Sequence, residues 1–178
     1  PLNIINTLVS TEDARFTSHS GIDIRSMMRV VFSLGTAGGG STISQQLAKN
    51  LFHTRSIEFG EDDPVYIGLL MKIDGLRTVI AKVKEWMLAI KLERRYTKQE
   101  IMAMYLNEVS FGNNAYGIQV ACRTYFQKDI QYVSLTEAAT LIGLLQNPSL
   151  YDPRVRPEKT LERRNTVLGH LAKYDFIL

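Results

Sequence analysis

Glu12 and Glu85 are the residues whose surroundings in this sequence could support chemistry. On a helical wheel centred on Glu85, Thr78, Ala81, Leu88, Ala89 and Leu92 share its side, while Val79, Ile80, Val83, Trp86, Met87 and Ile90 lie across from it. The segment therefore reads as apolar nearly all round and as the central helix of the domain. The small neighbours Ala81 and Ala89 would leave a cleft open above the carboxylate. A charge so placed needs a partner, a metal or a proton. The plainer alternative is an ion pair with Lys82 or Lys84. Glu12 has comparable surroundings: in a helical segment Ile5, Leu8 and Phe16 share its face, His19 follows two turns on, and Asp13 stands on a different face. Alternatively Ser10 and Thr11 begin a helix there, with Asp13 closing a capping box on Ser10, and the acidic pair is helix-end chemistry. Two carboxylates flanking a cleft are what glycosyl chemistry requires, one moving a proton and the other handling charge at the departing side. Spacing along the chain does not by itself bring them together.

A second constellation begins at Gly38-Gly39-Gly40, directly ahead of a helix start at Ser41-Thr42. Free amide donors and the helix dipole make such a terminus an anion site, and glycine lets a phosphate approach the backbone. No Gly-Lys-Ser/Thr follows at the spacing of a Walker loop. Along the helix, Thr42, Gln46, Lys49 and Asn50 form a polar stripe, and Ile43, Leu47 and Leu51 an apolar one. The stripe suits a diphosphate cradle. It also suits an ordinary amphipathic helix behind a flexible loop.

The elements that must hold these groups are helices. Periodicity and caps place them at roughly 2–17, 23–34, 41–52, 76–96, 98–108, 115–126, 134–146 and 157–173. Asp23, Thr97, Ser134 with Glu137, and Pro157 mark starts; Gly35, Gly112 and Pro148 mark stops. Asp62 to Ile67 is the one strand-like stretch, so the expected fold is all-α with at most a minor β-hairpin. The connection 53–75 is long enough to suggest a function of its own. Residues 24–40 pair an apolar helix, bearing Arg25 and Arg29, with a glycine-rich exit. They read either as a core helix or as a mobile, membrane-contacting segment. With 178 residues, 45% apolar and 22% charged, the chain makes one globular domain. A net charge of +3 suits an anionic ligand or membrane surface without requiring either, and nucleic acid is not an expected partner. Cys122, the lone cysteine, reads as a small core residue. No apolar run is long enough to span a bilayer, and the chain opens at Pro1 inside an ordered segment, as an excised domain would.

Taken together, the segments resemble the transglycosylase domain of class A penicillin-binding proteins and of the monofunctional peptidoglycan glycosyltransferases. Glu12 to Gly21 matches E-D-x-x-F-x-x-H-x-G, and Gly39 to Gln46 matches G-G-S-T-[IL]-[ST]-Q-Q. Lys82-Val83-Lys84-Glu85 matches most of R-K-x-x-E. Tyr105-Leu106-Asn107 with Phe111-Gly112 and Tyr116-Gly117-Ile118 matches a fourth block, and Asn147-Pro148 with Tyr151 and Pro153 a fifth. The blocks come in the family's order along essentially the whole chain.

The resemblance implies a lysozyme-like, two-lobed, mainly helical fold that polymerises lipid II into glycan strands. Glu12 would be the general base on the 4-hydroxyl of the acceptor sugar, which attacks the lipid-linked chain with inversion and releases undecaprenyl pyrophosphate. Ser41, Thr42, Gln46, Lys49 and Asn50 would hold the pyrophosphate. Glu85 would organise basic side chains, or a divalent cation such as Mg2+ or Mn2+, at the leaving group. Asp13, Phe16, His19 and Asn107 would shape the site. The expected partners are lipid II, the lipid-linked glycan chain, the membrane surface and a covalently linked transpeptidase domain. The expected location is the extracytoplasmic face of a bacterial cytoplasmic membrane, with an anchoring helix outside this chain. One departure stands out: Ala81 occupies the position of the family's arginine, and Arg77, a turn earlier, and Lys82 are the candidates to substitute for it. The rival readings are a lysozyme-like lytic hydrolase, which needs no pyrophosphate cradle, and a catalytically silent scaffold that binds precursor.

Overall fold

A computed structural model describes residues 1–32, 39–54 and 74–176 of the chain. Its described residues form eight α-helices: α1 (Leu2–Glu12), α2 (Ile24–Phe32), α3 (Ile43–Phe52), α4 (Asp74–Arg95), α5 (Lys98–Glu108), α6 (Ile118–Phe126), α7 (Leu135–Leu144) and α8 (Pro157–Lys173). Two 3-10 turns, Phe16–Ser18 and Ile130–Tyr132, complete the list of helical elements. Among the described residues no strand forms, only an isolated antiparallel bridge between Ser110 and Tyr116. The fold is all-α, as expected. The strand-like stretch Asp62 to Ile67 and most of the 53–75 connection lie outside the described residues, as do residues 33–38 of the glycine-rich exit.

Local chemistry explains most boundaries. Thr97 and Glu100 form a reciprocal capping box on α5, and Ser134 and Glu137 another on α7. Thr42 caps α3 by accepting the Gln45 amide at 3.2 Å, and Pro157 sits at the first turn of α8. The first helix ends at Glu12, short of the expected 17. Ser10 does not start a helix: it is buried inside α1 and donates its hydroxyl to the Thr7 carbonyl at 3.1 Å.

The core joins Ile4 and Leu8 of α1 to Ile43 and Leu47 of α3, Ile101 of α5, Ala121 of α6 and Leu141 of α7. Cys122 packs there as a small apolar residue, its thiol pushed up to about 11 by burial. The helix packed most fully is α7, in which Ala138, Ala139, Leu141, Ile142, Gly143 and Leu144 are all buried against α1, α6 and α8 while Thr136 in its first turn is exposed. This corrects the expectation that the Glu85 helix is central. Helix α4 buries only one face, that of Ala81, Glu85, Ala89 and Leu92, whereas Val79, Val83 and Met87 are 56%, 40% and 52% exposed. The reason is size. Alanines let α4 settle closely against its neighbours, and Gly21 touches its backbone so tightly that a Cβ there would lie 2.9 Å from the Ala89 carbonyl carbon.

Candidate active site

The turn after α1 separates two adjacent acids. Asp13 is buried and turns inward, where Oδ2 accepts the Ile43 amide at 3.0 Å at the start of α3. Both its oxygens lie 3.0 Å from His19 Nε2. The Gly21 amide donates to His19 Nδ1 at 3.2 Å, so the ring's proton sits on Nε2 and points at Asp13. Lys98 holds the outer side of this turn, donating to the His19 carbonyl at 2.6 Å and to Glu93 at 2.7 Å. Its ammonium stands 4.5 Å from the centre of the Phe16 ring. Ser44 of α3 donates to the same Glu93 carboxylate. The turn, α3 and the α4–α5 junction are thereby tied into one polar network.

Glu12, by contrast, stays half-buried and faces a cleft. Its Oε2 accepts from Gln46 Nε2 at 2.9 Å, and Gln46 Oε1 accepts from the Tyr105 hydroxyl at 2.8 Å. The cleft measures about 550 Å3. Arg25 and Arg29 of α2 line one wall, and Arg163, His170 and Lys173 of α8 another. Arg15 is already engaged, gripping Asp23 through Nε at 3.0 Å and Nη2 at 2.7 Å. Burial raises the Asp23 carboxyl, but hydrogen bonds from Arg15 and Ser26 and the guanidinium charge outweigh it and bring the pKa to about 2. The His170 imidazole is pushed down by burial and then by the charges of Arg163 and Lys173, so at neutral pH that wall holds two cations and a neutral ring.

Glu85 lies on the other side of Ser41. It is 2% exposed, with Oε2 accepting from Lys82 Nζ at 2.7 Å and Oε1 lying 3.5 Å from the Thr54 hydroxyl. The same ammonium donates to Ser41 Oγ at 2.7 Å. Lys82 thus occupies the place next to Glu85 that a cation must fill, and it does so from the turn in which Ala81 replaces an arginine. Lys49 and Asn50, both half-buried, follow Gln46 on the same face of α3. The Arg77 side chain lies outside the described residues. Among the described residues no three His, Cys, Asp or Glu side chains gather as ligands of an ion. Of the Glu85 oxygens, Oε2 faces the Lys82 ammonium and Oε1 the Thr54 hydroxyl.

Residues 1–172 match the sequence model of the Transglycosylase family. The chain belongs to the transglycosylase family. It is similar to penicillin-binding protein 1A of Aquifex aeolicus (strain VF5), at 41% identity over 99% of this chain and 22% of that protein. Penicillin-binding protein 1A of Pseudomonas aeruginosa is 38% identical over 99% of this chain and 20% of its own length. Penicillin-binding protein 1F of Bacillus subtilis (strain 168) is 38% identical over 99% and 22%. The chain therefore spans about a fifth of the length of the curated relatives it matches.

In this transglycosylase domain the predicted site residues divide into groups. Glu12 and Gln46 meet directly, and Ser41, Lys82 and Glu85 form the second cluster. Thr42 is a strut: its hydroxyl is buried, caps α3 and donates to the Gly21 carbonyl at 2.7 Å. Asp13 and His19 shape the turn from within. Phe16 and Asn107 line a separate apolar cavity of about 390 Å3 between α1 and α5. Sequence reasoning missed the α8 wall and the part played by Tyr105. The wall had a signal, because Arg163, Thr166, His170 and Lys173 recur at the spacing of one helical face. Tyr105 had one too, since a tyrosine on a buried helix face needs a partner for its hydroxyl.

Proposed function

We propose that this domain polymerises lipid II by inverting glycosyl transfer, with Glu12 as the general base. The observation that carries the reading is the position of Glu12: a half-buried carboxylate held by Gln46, with arginines and a lysine along the cleft on one side and the Lys82–Ser41–Glu85 cluster on the other. Both substrates of such a reaction are sugars on lipid pyrophosphates, so a base flanked by two cationic regions suits it. A hydrolase acting on finished glycan has no use for either region. Glu12 takes the proton of the acceptor 4-hydroxyl as that oxygen bonds to C1 of the lipid-linked chain. The bond from C1 to the pyrophosphate oxygen breaks, and its electron pair leaves with the undecaprenyl pyrophosphate. Lys82, with Ser41, Lys49 and Asn50, faces the charge that accumulates there. No step is routed through a metal, because Lys82 supplies a cation beside Glu85.

Helix α2 adds a membrane contact to this reading. Ile24, Met28 and Phe32 recur every fourth residue and are 71%, 47% and 78% exposed, beside Arg25 and Arg29. Such a face suits the extracytoplasmic surface of a bacterial cytoplasmic membrane, where the lipid-linked substrates reside. No described helix is long and apolar enough to cross a membrane, so the anchor would lie elsewhere in the parent protein, along with a linked transpeptidase domain.

The test is incubation of the purified domain with lipid II, read as glycan length on a gel. The parent should lengthen chains, and Glu12→Gln should lower the rate by about 100-fold or more. EDTA should leave the parental rate unchanged. Shortening of preformed glycan would support the hydrolase, and equal rates in parent and Glu12→Gln would remove Glu12 as the base.

A further inference from the structure

Tyr105 lies in the core, 1% exposed, yet its hydroxyl reaches the glutamine that holds Glu12. A primary amide is nearly symmetric in shape, and only its partners decide which end faces which way. Turned over, Gln46 would put its carbonyl oxygen against an ionised carboxylate. The phenol helps to prevent this by donating to Oε1 at 2.8 Å, which commits Nε2 to Glu12 at 2.9 Å. Burial, and then the negative charge of Glu12, push the phenol's pKa upward, so it remains a donor at any working pH. Among the described residues the other oxygen of Glu12, Oε1, accepts no hydrogen bond, and Glu12 borders the cleft.

We propose that Tyr105 is a positioning residue for proton removal: through Gln46 it ties Glu12 Oε2 to an amide hydrogen bond and leaves Oε1 to take the acceptor's proton. This rests on the reading of Glu12 as the base. The tyrosine touches no substrate and acts through two side chains from α5 and α3, so its effect belongs in turnover and not in substrate affinity. Its ring also packs with Ile101 and Met102 in the core, and a purely structural role would show as lost stability without coupling to Gln46.

The discriminating experiment is a double-variant cycle in the lipid II assay. Tyr105→Phe keeps the ring and should lower kcat about tenfold with KM within about twofold of the parent. Gln46→Leu should lower kcat further, and the double variant should be no slower than Gln46→Leu alone. A parental kcat in Tyr105→Phe overturns the proposal, as does a double variant slowed by the product of the two single effects. Side-chain amide resonances of Gln46 in 15N-glutamine-labelled protein supply a readout that needs no activity. They should be protected from solvent exchange in the parent and lose that protection in Tyr105→Phe. 3-Fluorotyrosine at position 105, a stronger donor that preserves the packing, should shift them the opposite way; signals indifferent to both changes overturn the proposal. A domain that fails to polymerise lipid II while its Gln46 signals respond would strike down the proposed reaction and leave the positioning by Tyr105 intact.

Discussion

Glu12 and Asp13 are neighbours in the chain with opposite duties. Asp13 spends both oxygens on protein groups, the Ile43 amide and the His19 ring, whereas Glu12 keeps one side toward the cleft. Removing the Asp13 carboxylate therefore disturbs the start of α3, and removing that of Glu12 leaves the Gln46 amide without its acceptor. At Glu85 the decisive neighbour is Lys82. If its ammonium substitutes for the arginine missing at Ala81, Lys82→Met should slow polymerisation by about 100-fold, with far-UV circular dichroism unchanged; a variant polymerising at the parental rate would show that the charge comes from elsewhere. How far these roles were legible depends on range. The two carboxylates stood out because a charge among apolar neighbours is a local anomaly. The partners of Asp13 and Thr42 were not legible, since Ile43 lies thirty residues from Asp13 and Gly21 lies twenty-one from Thr42. No helical wheel or capping rule spans such distances.

At the scale of elements, helix starts were legible and helix neighbours were not. Thr97 with Glu100 and Ser134 with Glu137 act within one turn, so their residues announce them. Whether a helix is central depends on what packs around it, and here the short α7 buries most of its residues while the long α4 is one-sided. Helix α2 shows how an element is held to the cleft: Asp23 accepts the Ser26 amide at 3.1 Å and grips Arg15 in the turn after α1. Because folding lowers its pKa from 3.8 to about 2, the ionised Asp23 favours the folded state. That contribution is complete above about pH 4 and disappears as pH falls through about 2. Asp23→Asn should accordingly be less stable than the parent at pH 6 in urea melts, and the gap should close on acidification through that window. A gap that stays constant with pH would mean that Arg15 and Asp23 do not couple α2 to the turn.

For the whole molecule, the arrangement of surfaces matters more than any one contact. The arginines of α2 border the Glu12 cleft, and Ile24, Met28 and Phe32 form an adjacent apolar stripe, so one helix can meet a bilayer and line the reaction cleft together. Burying each of these large side chains in lipid is favourable by about 1.5–3 kcal/mol. Ile24→Ser with Phe32→Ser should thus weaken sedimentation with phosphatidylglycerol vesicles at least tenfold, while turnover of a soluble, short-chain lipid II analogue stays near the parental rate. Undiminished vesicle binding in the double variant would place the membrane contact on another face. Gly21 ties α3 to α4. Its carbonyl accepts from both Thr42 at 2.7 Å and Gln45 at 3.3 Å, its φ is +97°, and its Cα rests on the backbone of Ala89. The floor beneath Glu12 is therefore built from residues that each satisfy two others, and a change in one strands its partners. For an inhibitor seated in this cleft, resistance that leaves the fold intact would have to arise along the rim, at Arg25, Arg29 and Lys173, whose side chains are exposed.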